Sequence, residues 1–255
     1  MNSKKLKGAI ILLLLFSIGI CYLTLFSVKN SEEHVIPRII SYTSYIETNT
    51  IKFFVVLGEV QNNITKNIKS VIINATFYDD TNNILGKSYS YATLKILTPN
   101  QISPFKIYWV LNASVNIPKR IELTCMSIQT NEQPMKGIVI TNRTSYTDER
   151  GYYIVKGKIR NKGSRKASLI TIFCTYYDEN GNIIAISKTY LNSTLTVGEE
   201  AIFKVSLKPL KHYPSHYKLI IIANYQLLLK LHYHLFFIIV IAFIIFLIYM
   251  KNQGW

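Results

Sequence analysis

This chain predicts an all-β protein: two tandem β-sandwiches flanked by N- and C-terminal transmembrane helices. Three observations carry that expectation. Two long runs near the ends hold no charged residue, GAIILLLLFSIGICYLTLFSV (8–28) and LFFIIVIAFIIFLIYM (235–250). The intervening sequence repeats itself after 99 residues. Within each copy, apolar residues alternate with polar ones over short segments broken by turn residues, the period of half-buried strands. At 255 residues, with 49% hydrophobic and 17% charged residues, the chain is neither disordered nor collagen-like.

Residues 1–7 form a basic tip with Lys4, Lys5 and Lys7. The 21-residue run 8–28 can cross a hydrocarbon core of ~30 Å at about 1.5 Å per helical residue. We read it as an uncleaved signal anchor. It shows no small-x-small cleavage site near Lys29, and its apolar core is long for a secretory signal. The second charge-free run has 16 residues. It reaches spanning length as 231–250, with Tyr233, His232 and His234 at the interface. Lys251 opens a short tail, 251–255. Lysines outside both runs put both ends in the cytoplasm by the positive-inside rule, and the bulk of the chain outside the cell membrane.

KKLKGAII also resembles the processing site of archaeal type IV prepilins, with basic residues, a glycine and then a long apolar helix. That resemblance implies the alternative of a pilin-like surface subunit cleaved between Gly8 and Ala9.

The repeat aligns 56–91 with 155–190 without a gap. Paired identities include Gly58/Gly157, Asn62/Asn161, Ile73/Ile172, Tyr78/Tyr177, Asp79/Asp178, Ile84/Ile183 and Tyr91/Tyr190. After a one-residue deletion, Leu97 meets Leu195 and Phe105 meets Phe203. Segments such as KSVIINATFYD, IIAISKTYL and AIFKVSL read as strands, separated by DENGN, TPN and NKGS turns. About seven short antiparallel strands per copy match the size of an immunoglobulin-like sandwich. The two copies are placed at 35–130 and 134–230, divided near the polar stretch QTNEQPMKG.

Val-x-Gly-x-Val-x-Asn, then an apolar strand ending in Phe/Tyr-Tyr-Asp, then a turn and Leu-x-Pro/Val leading to Phe, resembles the FxLYD domain family. Ala75 and Cys174 occupy the position of that motif's first Phe, and Asn82 stands where the second copy has Gly181. The resemblance implies an immunoglobulin-like sandwich on a microbial envelope protein, and it brings no catalytic residues.

Asp79 and Asp80, repeated as Asp178 and Glu179, are the nearest approach to a carboxylate pair. Adjacent residues on a strand point to opposite faces, so the pair cannot readily share a ligand or a proton. Asp79 and Asp178 are therefore read as structural turn acids that accept backbone N–H bonds. His212 and His216 are separated by Pro214, which argues against one helical face. No nucleophile-elbow, zincin, phosphate-loop or paired Cys-x-x-Cys motif is present in the sequence. We expect no enzymatic activity, no cofactor and no metal. Cys21 lies in the first apolar run, and Cys125 and Cys174 fall in different copies. Free, mostly buried thiols are expected.

Charge separates the copies. Between residues 29 and 234 there are 25 basic and 14 acidic residues, with 10 against 8 in the first copy and 15 against 6 in the second. Lys156, Lys158, Arg160, Lys162, Arg165 and Lys166 crowd one expected hairpin, KGKIRNKGSRK. They form a candidate patch for an anionic partner such as lipid headgroups or an acidic envelope polymer. The duller role is protection of a strand edge by lysine. Partners expected from these features are membrane lipid and an envelope protein or glycan; nucleic acid is not expected outside the cell. Sequons at Asn63, Asn74, Asn112, Asn142 and Asn192 are compatible with external exposure. Adhesion, envelope binding or service as an accessory subunit of a membrane complex are the functions this architecture suggests.

Overall fold

The computed structural model describes residues 33–48, 50–111, 117–134, 136–210 and 213–225, and every regular element among them is a strand. The runs 8–28 and 231–250 lie outside the described residues. Among the described residues no helix is long and apolar enough to cross a membrane.

The first copy contributes β1 (His34–Val35), β2 (Arg38–Thr48), β3 (Lys52–Gln61), β4 (Asn67–Tyr78), β5 (Ile84–Tyr91), β6 (Ile96–Leu97), β7 (Ile102–Val110) and β8 (Arg120–Thr130). One sheet has the order β1-β8-β4-β5, with β6 also on β4, and the facing sheet has the order β2-β3-β7. The second copy contributes β9 (Ile138–Thr147), β10 (Tyr153–Asn161), β11 (Ala167–Tyr177), β12 (Ile183–Leu191), β13 (Glu200–Leu207) and β14 (His216–Tyr225). Its sheets are β13-β10-β9 and β12-β11-β14. Every strand pair is antiparallel.

The strand number departs from about seven in each copy. Among the described residues the first has eight, counting the two-residue strands β1 and β6, and the second has six. In the second, the place of β6 is held by one isolated bridge, Ala167 to Leu195. A second correction concerns the basic segment. It is not a hairpin, because β10 and β11 belong to different sheets and the chain crosses between them at Asn161.

That crossing explains one repeated identity. Asn161 is fully buried, and its Nδ2 donates to the carbonyls of Arg165 (2.8 Å) and Leu195 (3.0 Å). Its Oδ1 accepts from the Gly163 amide at 3.0 Å. Asn62 makes the same set with Lys66, Leu97 and Ile64. A buried side-chain amide thus satisfies backbone groups that neither sheet can reach.

Two more identities have steric causes. The Phe105 ring lies over Gly58, where a Cβ would stand 2.3 Å from its Cζ. At Gly157 a Cβ would meet the Asn142 carbonyl at 2.2 Å and the Phe203 ring at 2.9 Å. A left-handed residue also interrupts β4 and β11 alike, Ser70 (φ 53) and Leu169 (φ 50), at register shifts. Each bulge resets the two-residue alternation. Ile68 and Val71 therefore both point inward, as do Ala167 and Ile170.

The cores are separate. Val56, Ile73, Phe77, Phe105 and Ile107 centre the first, with Trp109 stacked on Phe77 at 4.6 Å. Val155, Ile172, Tyr176, Phe203 and Val205 centre the second. Cys174 lies in that core and Cys125 is half-buried; both are free thiols, and burial pushes Cys174 up to about 12. Cys21 lies outside the described residues.

Candidate functional site

β3 differs from its counterpart β10. From Phe54 to Val60 every residue of β3 is buried, on both faces of the strand. Phe54, Val56 and Val60 fill the first core. Val55 and Leu57 point the other way and pack on Tyr177 and Ile183 of the second copy, forming a third cluster at the joint between copies. In β10 the positions matching Leu57 and Glu59 are Lys156 and Lys158, both exposed.

The joint has a polar centre. Glu59 is 6% exposed and accepts a 2.5 Å hydrogen bond from the Tyr177 hydroxyl, itself on a residue 2% exposed. Burial, and then the Glu59 carboxylate, push the Tyr177 hydroxyl far above the usual phenol range, so it stays a donor. His216 stacks on Tyr177 at 4.7 Å and Lys218 Nζ lies 4.8 Å from the same ring. Thr43 Oγ1 donates to the Ile183 carbonyl at 2.9 Å across the joint.

Two hollows flank it. The smaller, of about 310 Å³, is lined by Glu59, Arg143, Thr175, Tyr177 and Lys218 among others. Thr175 Oγ1 is buried there, beside Tyr177. The larger groove, of about 980 Å³, runs between β2 and β12, with Tyr45, Tyr213, Asn180, Asn182, Ser44 and Ser187 on its walls. Tyrosine faces beside amides and hydroxyls offer stacking and neutral hydrogen bonds together.

The turn acids are occupied. Asp178 Oδ1 accepts from the Asn180 and Asn182 amides (3.0 and 2.8 Å), and Oδ2 accepts from Asn182 Nδ2 (3.0 Å). Asp79 accepts from Thr81 and Asn83 in the same way. These bonds, led by the Asn182 and Thr81 side chains respectively, hold both carboxyls below the ordinary range. Gly181 and Asn82 take the same left-handed position of the turn, φ 79 and φ 64. A third turn acid, Asp148, caps Arg150 and Tyr152, and sequence reasoning missed it. Its signal is the Asp-x-x-Gly spacing of DERG.

The basic patch divides in two. Lys156, Lys158 and Arg160 alternate along the outer face of β10, where Lys204 joins them opposite Lys156. Lys156 Nζ lies 5.1 Å from the Tyr146 ring, and Arg160 Nε donates to the Gly198 carbonyl. Lys162, Arg165 and Lys166 are exposed on the connection to β11. That connection ends beside the last residue of β14, because Ala167 pairs with Tyr225. Asn63, Asn74, Asn142 and Asn192 are all exposed, and Asn112 lies outside the described residues. His212, His232 and His234 also lie outside them. Among the described residues no group of three or more His, Cys, Asp or Glu could hold a metal ion.

No family model matches the chain and no curated protein is similar to it. Solved structures with a loose likeness include a transglutaminase from red sea bream, at 8% identity and TM-score 0.26, covering 74% of this chain and 30% of that one. Another is the Bacteroides uniformis beta-glucuronidase 2 covalently bound to cyclophellitol-6-carboxylate aziridine, at 12% identity and TM-score 0.25, covering 68% and 24%. The chain spans less than a third of either, and likenesses this loose say nothing about its activity.

Proposed function

We propose that this is a non-enzymatic binding protein of the cell envelope, with two immunoglobulin-like sandwiches of FxLYD resemblance held outside the cell membrane. Helices at 8–28 and 231–250 anchor it and leave both ends in the cytoplasm. The groove between β2 and β12 takes an envelope glycan. One observation carries the binding reading: the joint built on β3 fixes the two copies together, so the groove's walls are set before a ligand arrives. Tyr45 and Tyr213 supply ring faces, and Asn180 and Ser187 supply neutral hydrogen-bonding groups. Of the three acids on its walls, Glu47, Asp178 and Glu179, Asp178 is bonded within its own turn and Glu47 pairs with Lys106 at 3.4 Å, which favours binding over general acid–base chemistry. Lys162, Arg165 and Lys166, beside the chain's exit from β14, meet anionic headgroups.

The test uses the full chain in nanodiscs with envelope polysaccharide from the producing cell. Sedimentation should show retention that Tyr45→Ala with Tyr213→Ala reduces at least about tenfold. Retention unchanged by the double variant refutes the groove, and release of shortened glycan refutes a non-enzymatic role. Protease shaving of whole cells that spares 30–230, once surface access is confirmed, refutes the topology. An N-terminal mass beginning at Ala9 would replace the anchor with the pilin-like alternative.

A further inference from the structure

The joint inside the chain implies a second joint between chains. The corner of the second copy, Tyr177 with Ile183, sits on the outer face of β2-β3-β7. The first copy has the same corner, Tyr78 with Ile84, and the second has the same face, on β9-β10-β13. Both are uncovered. Ile183 is fully buried while Ile84 is 57% exposed. Pro104, paired with Glu59 on β7, is buried, while its counterpart Ile202, paired with Lys158, is 72% exposed.

We propose that the Tyr78 corner of one molecule docks on the β9-β10-β13 face of a second copy, repeating between chains the contact made within each. Charge at matched positions supports that occupant. In the internal joint Glu59 lies on the face, and Lys218 lies on the corner beside the Tyr177 ring. Lys158 takes the place of Glu59. Glu122 takes the place of Lys218, because Thr76 pairs with Glu122 as Thr175 pairs with Lys218. Both signs are inverted at these two positions, and Glu122, which also pairs with Arg120 at 3.6 Å, is the corner's acid toward Lys158.

The remaining pieces correspond. Tyr78 donates to Glu122 at 2.7 Å and carries Arg120 at 3.7 Å on its ring, where Tyr177 carries His216. Thr144, paired with Lys156 as Thr43 is with Leu57, is placed to donate to the Ile84 carbonyl. Lys87 replaces Ile186 at the margin, which makes this joint more polar and weaker than the internal one. The inversion also sets partner choice. A Glu122 corner meets like charge on a Glu59 face, so it selects Lys158. A contact between two different patches is heterologous and continues head to tail rather than stopping at a symmetric dimer.

The full-length chain in detergent, followed by sedimentation over a concentration series, tests this. The wild type should form a series of multimers. Lys158→Glu and Glu122→Lys, both at exposed positions, should each weaken association at least about tenfold, and the double variant should restore it. Mixing Ile84→Arg, blocked at the corner, with Lys158→Glu, blocked at the face, should give dimers and nothing larger. A wild type that stays monomeric throughout overturns the proposal. So does a double variant no better than its singles, or a Lys158→Glu change that alters only binding to anionic vesicles.

Discussion

Truncating Leu57 to alanine separates the joint from the cores. Leu57 is fully buried, yet its side chain belongs to the cluster with Tyr177 and Ile183 and not to the first core. A buried Leu→Ala change costs about 2–5 kcal/mol. Here that cost falls on the contact between copies, because the Leu57 side chain is not part of the first copy's own sandwich core. Since about 1.4 kcal/mol is tenfold, the joint should open roughly 30- to 4000-fold more often. Opening leaves strand pairing intact, so backbone exchange is a poor reporter. Thiol labelling at a buried joint position reads it directly. With Ile183→Cys as reporter, adding Leu57→Ala should raise the native labelling rate at position 183 by that factor. Peptide mass spectrometry separates this site from Cys21, Cys125 and Cys174. Lys156→Ala, at the matched exposed position of β10, should change stability by less than about 0.5 kcal/mol. A rate at position 183 that Leu57→Ala leaves within threefold, while the first copy itself melts earlier, would show that Leu57 supports its own sandwich and refute the two-faced role of β3.

Tyr177→Phe strips the buried Glu59 carboxylate of its donor and should destabilise the chain by roughly 1–3 kcal/mol in urea unfolding, with Glu59→Gln in the same background recovering part of it. Asn62→Ala and Asn161→Ala each leave two carbonyls and an amide unserved, and should each lower the stability of their own copy by about 1–3 kcal/mol. Asp79 and Asp178 have depressed carboxyl pKa values in the folded chain. Their stabilisation is present above the unfolded value of about 3.9 and is lost as pH falls through the folded one. Asp79→Asn with Asp178→Asn should therefore flatten the stability–pH slope below pH ~4 and leave it unchanged near neutrality. Burial raises the Cys174 thiol to about 12, so its contribution is present at neutral pH and declines from its unfolded value of about 8.5 upward. Cys174→Ser should remove that alkaline decline in a thermal-melt series.

The strands were legible because alternation and turn residues are local signals. β4, β12 and β13 fall where IINATFY, IIAISKTYL and AIFKVSL place them. The repeat also exposed Asn62/Asn161 and Gly58/Gly157 as matched positions. It could not give their roles, since a buried amide serving Leu97 and an aromatic ring 47 residues away involve partners distant in sequence. The mistaken hairpin has the same origin. A polar turn between two strands has one appearance whether the strands pair or part, and only the Asn161 side chain distinguishes the cases.

The joint was written in the sequence as a difference between copies. FFVVLGEV in β3 has apolar residues at consecutive positions, the pattern of a strand buried on both faces. Its counterpart YYIVKGKI sets Lys156 and Lys158 at alternate positions, as a strand with one wet face should. Read as identities, the two segments mark a repeat. Read as substitutions, Leu57 against Lys156 and Glu59 against Lys158 mark which face has found a partner within the chain. The corners carry the matching record, since Lys218 and Glu122 differ in sign at one paired position. Two copies that only tethered the chain would have no reason to invert charge at both halves of one contact. That coupled inversion makes the acid Glu59, rather than either aspartate of the FYDD corner, the carboxylate on which the architecture turns.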